Sequence, residues 1–70
     1  VMNVTWNAKA GSVYQVEATA SLAGPWGNAP DSAGEFGASR QTAATNGVLQ
    51  YRDTQTGQGT RFYRVRRVAP

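Results

Sequence analysis

Histidine and cysteine are both missing from this chain of 70 residues, and acidic residues are scarce: Glu17, Asp31, Glu35 and Asp53 are the whole set. Without histidine the commonest general base and the commonest metal ligand are gone. Without cysteine there are no disulfide staples and no thiolate metal sites, and redox chemistry marks no compartment. No glycine-rich phosphate cradle, Ser/His/Asp set or nucleophile elbow is present. Asp31 and Glu35 lie four apart, but two carboxylates fall short of the roughly 6–8 oxygens of a calcium site. These residue types argue against an enzyme and imply no cofactor and no metal. Long apolar runs are lacking too. Nothing approaches the ~18 residues of a membrane-crossing helix, so no membrane span is expected, and no charged-then-apolar leader opens the chain. Val1 falls inside what reads as a strand, which suggests a processed piece or the tail of a longer protein.

A chain of this size makes one small domain, residues 1–70, that hides only roughly 60% of its unfolded surface, so a partner would add stability. Its charge is lopsided. Seven basic residues against four acidic give a net +3, and every basic residue except Lys9 lies from Arg40 onward. That field argues for weak attraction to polyanions and says nothing of fold.

Hydrophobic periodicity is mostly two. In Val1 to Ala8, Met2, Val4 and Trp6 share one side and Asn3, Thr5 and Asn7 the other, the alternation of a half-buried strand. From Val13 to Thr19, Tyr14, Val16 and Ala18 alternate with Gln15 and Glu17, and a turn around Gly11-Ser12 suggests a hairpin joining the two. Ser21 to Ser39 is rich in Gly, Ala, Pro and Ser and reads as a loop or irregular edge strand, anchored by Leu22, Trp26 and Phe36. Arg40 to Thr45 is weakly β-compatible, and Asn46-Gly47 is the strongest hairpin signal because both residues tolerate positive φ. Val48 to Asp53 and Arg61 to Val68 read as further strands, separated by a loop over Thr54 to Gly59. No helix, repeat or coiled coil is expected. Short strands at this spacing predict an all-β fold, a small antiparallel sandwich or barrel.

The landmarks W…YQVEAT…LAGPW…YRDT…FYRVR, in that order, resemble the fibronectin type III family and the immunoglobulin-like sandwiches related to it. The chain is also similar to short modules near the C-termini of large secreted bacterial proteins. The resemblance covers nearly the whole chain and implies an extracellular or cell-surface module. It places the second strand of the family at Val1 to Ala8, the third at Val13 to Thr19, the fifth near Val48 to Thr54 and the sixth at Arg61 to Val68. It also implies a tyrosine corner, with the Tyr63 ring buried and its hydroxyl bonded to backbone of the preceding loop. Such modules have about 100 residues and seven strands. Here the first strand is missing and the last has almost no room, so the expected product is a small sandwich with an exposed strand edge. A neighbour would complete that edge, as a second copy in a filament or as an adjoining domain of the same polypeptide.

Val4, Trp6, Tyr14, Val16, Tyr63 and Val65 fall on inward phases and form the predicted core. Trp26, in a loop between Pro25 and Gly27, either covers an open end of the sandwich or offers a platform for polysaccharide or protein. Phe62, Arg64 and Arg66 share the outward phase of the last strand, and Arg67 breaks the alternation through a strand end or bulge. In the family arrangement Glu17 lies across from Arg64 or Arg66, an exposed pair contributing ~0.2–1 kcal/mol. Those residues are either a solvated sheet face or a basic strip for phosphates or acidic polysaccharide, with Phe62 available for stacking. Nucleic acid is the disfavoured polyanion, since no RNA-recognition, KH or zinc signature is present. Arg52 and Asp53 read as a surface pair at a strand end, with Asp53 also suited to capping the following turn.

Overall fold

The computed structural model describes residues 2–32, 34–54 and 61–69. Six strands run in order: β1 Met2–Ala8, β2 Val13–Thr19, β3 Gly27–Asn28, β4 Arg40–Thr42, β5 Gly47–Asp53 and β6 Phe62–Ala69. No described residue is helical, so the chain has the all-β class that its period-two patterning predicts. The loop expected over 54–59 lies outside the described residues apart from Thr54, as does Val1 at the start of the first predicted strand.

Both expected hairpins are corrected by the topology. β1 pairs antiparallel with β5 in one sheet, whereas β2 pairs with β3, β4 and β6 in the other. The β1–β2 turn is therefore an arch from sheet to sheet, and so is the β4–β5 connection through Asn46-Gly47. The physical reason is that the apolar sides of β1 and β2 face each other across the core: the Trp6 and Tyr14 rings meet at 6.1 Å, tilted by 56°. The arches are tied down by polar contacts. Gly11, at φ +84°, donates its N–H to the Ala43 carbonyl, the Lys9 N–H reaches the Tyr14 hydroxyl, and the Ala10 N–H reaches Asn46 Oδ1. A turn signal in sequence specifies a reversal of direction, not which sheet the chain enters next.

Two joined clusters fill the space between the sheets. Val16 and Tyr51 are fully buried with Ala29, and Val4, Trp6, Ala18, Tyr63 and Val65 pack around them. Ala8, Tyr14 and Ala43 form the second cluster with Trp6, Leu49 and Val65. Leu22 is not an anchor of the long loop. It is 68% exposed, lifted outward by a turn in which Thr19 Oγ1 bonds the Ser21 carbonyl and the Gly24 N–H bonds it as well. Ala29 and the Tyr51 hydroxyl, which donates to the Pro30 carbonyl, hold that loop instead.

The layers stack unevenly. Gln41 on β4 donates Nε2–H to the Gln50 carbonyl of β5 at 2.8 Å, so β4 stands over β5. β2 separates β4 from β6 within its sheet, and the start of β6 meets the end of β5, where Tyr63 packs near Tyr51 and bonds Asp53. The outer edge of β5 is occupied, because the Arg52 N–H donates to the Phe36 carbonyl and the Thr54 N–H to Ser32 Oγ. Among the described residues no strand pairs with the outer edge of β1 or of β6.

Changing Tyr51→Phe leaves the Pro30 carbonyl without its donor, and a loss of about 1 kcal/mol in urea unfolding is expected at unchanged m. An unaltered midpoint would show that the loop is held without this hydroxyl.

Candidate functional site

β2 is covered on both faces, which the sequence pattern did not suggest. Its inward residues are in the core, yet Gln15, Glu17 and Thr19 on the outward phase are buried too. Gln15 is covered from the β4 side, where its Nε2 reaches the Ser39 hydroxyl and carbonyl. Glu17 is covered from the β6 side. Strand register sets it opposite Arg64, whose Nε–H donates to Oε1 at 2.7 Å, while Arg66 reaches Oε2 at 3.3 Å.

The pairing of Glu17 with these arginines is present, but it is not the exposed pair that was expected. Glu17 is only 7% exposed and serves two guanidinium groups. The hydrogen bond from Arg64 holds its carboxyl below the ordinary value of 4.5, against the opposing effect of burial. The Arg64 guanidinium also lies over the Trp26 ring at 4.4 Å. Trp26, half-buried beside the short strand β3, thus covers the outer face of the β2–β6 sheet and not an open end of the sandwich. One face of its ring is occupied by the cation.

Phe62, Arg64 and Arg66 do share this outer face by strand phase, with Phe62 half-buried opposite Thr19. Arg40, opposite Gln15 across the β2–β4 ladder, belongs to the same face. Arg67 does not. It pairs with Tyr14, on the phase of Tyr63 and Val65, and the next rung joins Val13 to Ala69, so Val68 is the inserted residue of a bulge. The outer face therefore groups three cations, Arg40, Arg64 and Arg66, around one carboxylate, Glu17.

A second polar cluster lies inside. Asp53 is 2% exposed, and its Oδ2 accepts from Arg61 at 2.7 Å and from the Tyr63 hydroxyl at 2.6 Å. This corrects the surface pair of Arg52 with Asp53: Arg52 bonds Asn3 Oδ1 across the outer side of the other sheet. The loop that would supply a backbone partner for a tyrosine corner lies outside the described residues, and the described partner of Tyr63 is this carboxylate. Sequence parity could have found the site, since Asp53 falls two residues after the inward Tyr51. Burial and then the Asp53 bond push the Tyr63 phenol from 10 up to about 12. Asp31 is likewise engaged, accepting the Ser39 N–H at 2.8 Å.

Main-chain geometry defines the bare flank. The Arg52 N–H points away from β1, so Asn3↔Arg52 is a non-hydrogen-bonded pair and the alternation extends to Thr5↔Gln50 and Asn7↔Val48. Asn3, Thr5 and Asn7 therefore aim their N–H and C=O groups at the unpaired edge. On β2, the Val16 N–H bonds Ser39 and its carbonyl accepts from Ala29, both away from β6. By the same alternation Tyr63, Val65 and Arg67 present their main-chain groups along the free edge of β6.

No known protein family, characterised protein or solved structure gives a significant match to the chain.

Two pH limits follow. The Tyr63 phenolate is the form disfavoured by folding, so its contribution is complete below pH 10 and is lost as the pH rises through about 12. Ultraviolet titration of the tyrosines should show this late step together with alkaline unfolding. For Glu17 the sign is opposite. Its ionised form is favoured by folding, so that stabilisation is present above pH 4.5 and fades as the pH falls. The Trp26 indole resonance should shift over the same acid range, and a shift of equal size in Glu17→Gln would break the link between them.

Proposed function

We propose that this protein is a non-catalytic β-sandwich of fibronectin III-like type that works by association, its bare flank being completed by strands from neighbours. The observation that carries this reading is that, among the described residues, the outer edges of β1 and β6 have no strand partner. Among the described residues three main-chain rungs on each have no strand opposite them, and such rungs are a template for strand addition. Within the sheets, β1 with β5 and β2 with β6 match the second-with-fifth and third-with-sixth pairing of the family. The described strands contain no counterpart of the first or last strand of that fold, which would cover this flank.

Three of the four carboxylates support the non-catalytic half of the reading. Glu17, Asp31 and Asp53 are engaged in holding arginines, a loop and a tyrosine. A role as spacer or filament subunit at the cell surface follows from the resemblance to modules of secreted proteins. Carbohydrate recognition through Trp26 is the weaker alternative, because stacking on a sugar needs an open ring face and Arg64 covers one.

β1 carries no charge, proline or glycine between Met2 and Ala8, so nothing in its sequence blunts self-pairing. Sedimentation at micromolar concentrations should show concentration-dependent association. Thr5→Pro, which removes a free-edge N–H, and Thr5→Lys, which adds charge there, should each weaken it at least severalfold. A dispersed monomer at every concentration would overturn the reading.

A further inference from the structure

The two edges of the flank differ in chemistry, and the difference points to two different partners. β1 is uncharged, whereas β6 carries Arg64, Arg66 and Arg67 among its eight residues. Resting on the reading that the bare edges bind strands, we infer that the free edge of β6 is a docking site for an extended acidic segment of another polypeptide. That segment carries Asp or Glu at two positions, i and i+2, opposite Arg64 and Arg66.

The register fixes which residues would meet. Tyr63, Val65 and Arg67 offer the free N–H and C=O groups, so an antiparallel strand would hydrogen-bond there. Residues opposite Arg64 and Arg66 would then occupy non-hydrogen-bonded positions, where Cα atoms approach to about 4.5 Å and cross-strand side chains lie closest. Arg64 and Arg66 share the single carboxylate of Glu17, and Arg40 adds a further cation to the same face. The face is thus undercompensated by two charges among the residues grouped on it. Arg66 is the more accessible of the pair, its side chain 58% exposed against 45% for Arg64.

These 70 residues contain no complementary segment. The acidic residues stand at positions 17, 31, 35 and 53, so none is two residues from another. A second β6 is excluded by its own charge. In the antiparallel registers that bring the free rungs of two β6 strands face to face, Arg64 meets Arg66 twice when Val65 lies on the two-fold axis, and a shift by one rung sets Arg64 or Arg66 against itself. Like charges placed directly across a ladder destabilise it. β6 is therefore blunted against copies of itself while matched to an acidic strand, as edge charges are used to select partners.

Three nine-residue peptides test this, each alternating threonine or valine with Glu, Gln or Lys at two central positions two apart. The measurements are NMR titration and amide hydrogen exchange on the intact chain. The Glu peptide should bind at least tenfold more tightly than the Gln peptide, protect the Tyr63, Val65 and Arg67 amides, and leave the Lys peptide without measurable binding. Arg66→Gln should reduce the Glu/Gln ratio severalfold, and Arg66→Glu should transfer the preference to the Lys peptide. Equal binding of Glu and Gln peptides, acidic binding without protection of those three amides, or no binding by any peptide overturns the inference. The association reading is scored separately on the Asn3, Thr5 and Asn7 amides of the peptide-free protein. Their protection at high concentration sustains that reading even where β6 ignores every peptide.

Discussion

The contact between the sheets at Val16, Ala29 and Tyr51 is the constraint on which the molecule depends. Val16 and Tyr51 are fully excluded from water, one from each sheet, and Ala29 closes the gap from the long loop. A domain this small has little apolar area to bury, at roughly 25 cal/mol per Å². Polar interactions therefore do work that a larger core would do by packing. The Tyr51 hydroxyl ties down the loop at Pro30, and the buried Asp53 joins Arg61 and Tyr63 beneath it. Tyr51 and Tyr63 sit 6.3 Å apart between these two anchors, so the inner end of β5 and the start of β6 are fixed as one unit.

β2 is the central element because both of its faces are occupied. One side packs against β1 and β5. The other is roofed by Arg64, Arg66 and Trp26 around Glu17, which turns an outward face into a second, polar layer. The same arginines that cover β2 leave β6 positively charged along its free edge. Coverage of one strand and positive charge on the next are two consequences of one set of side chains.

Among the described residues no strand covers the outer edge of β1 or of β6. β4 and the 29–39 segment close the side over β5, and two strands of seven and eight residues end the sheets on the other side. Half-exposed Val4, Trp6 and Val65 lie just inside that flank, where a further strand in each sheet would shield them. The Trp6 indole N–H is buried there with no hydrogen-bond partner among the described residues.

Much of this was legible from alternation alone. Period two located β1, β2, β5 and β6 to within a residue or two, because side-chain direction along a strand is a local property; that Glu17 lies across from Arg64 or Arg66 came from the strand neighbours that the fibronectin type III resemblance implies. Three things required tertiary structure. Turn chemistry at Gly11 and Asn46-Gly47 could not say that each arch changes sheet, since that depends on which apolar faces meet across the core. Asp53 shares the inward phase of Tyr51, but that Tyr63 and Arg61 close over it is visible only in the fold. Trp26 acquired its place only when β3 joined β2 and brought its ring under Arg64, a contact between residues 38 positions apart. The amino-acid order thus determined which groups point together along each strand. Burial and the pairing of strands were decided by how the described strands pack around β2, because both depend on which faces meet across the core.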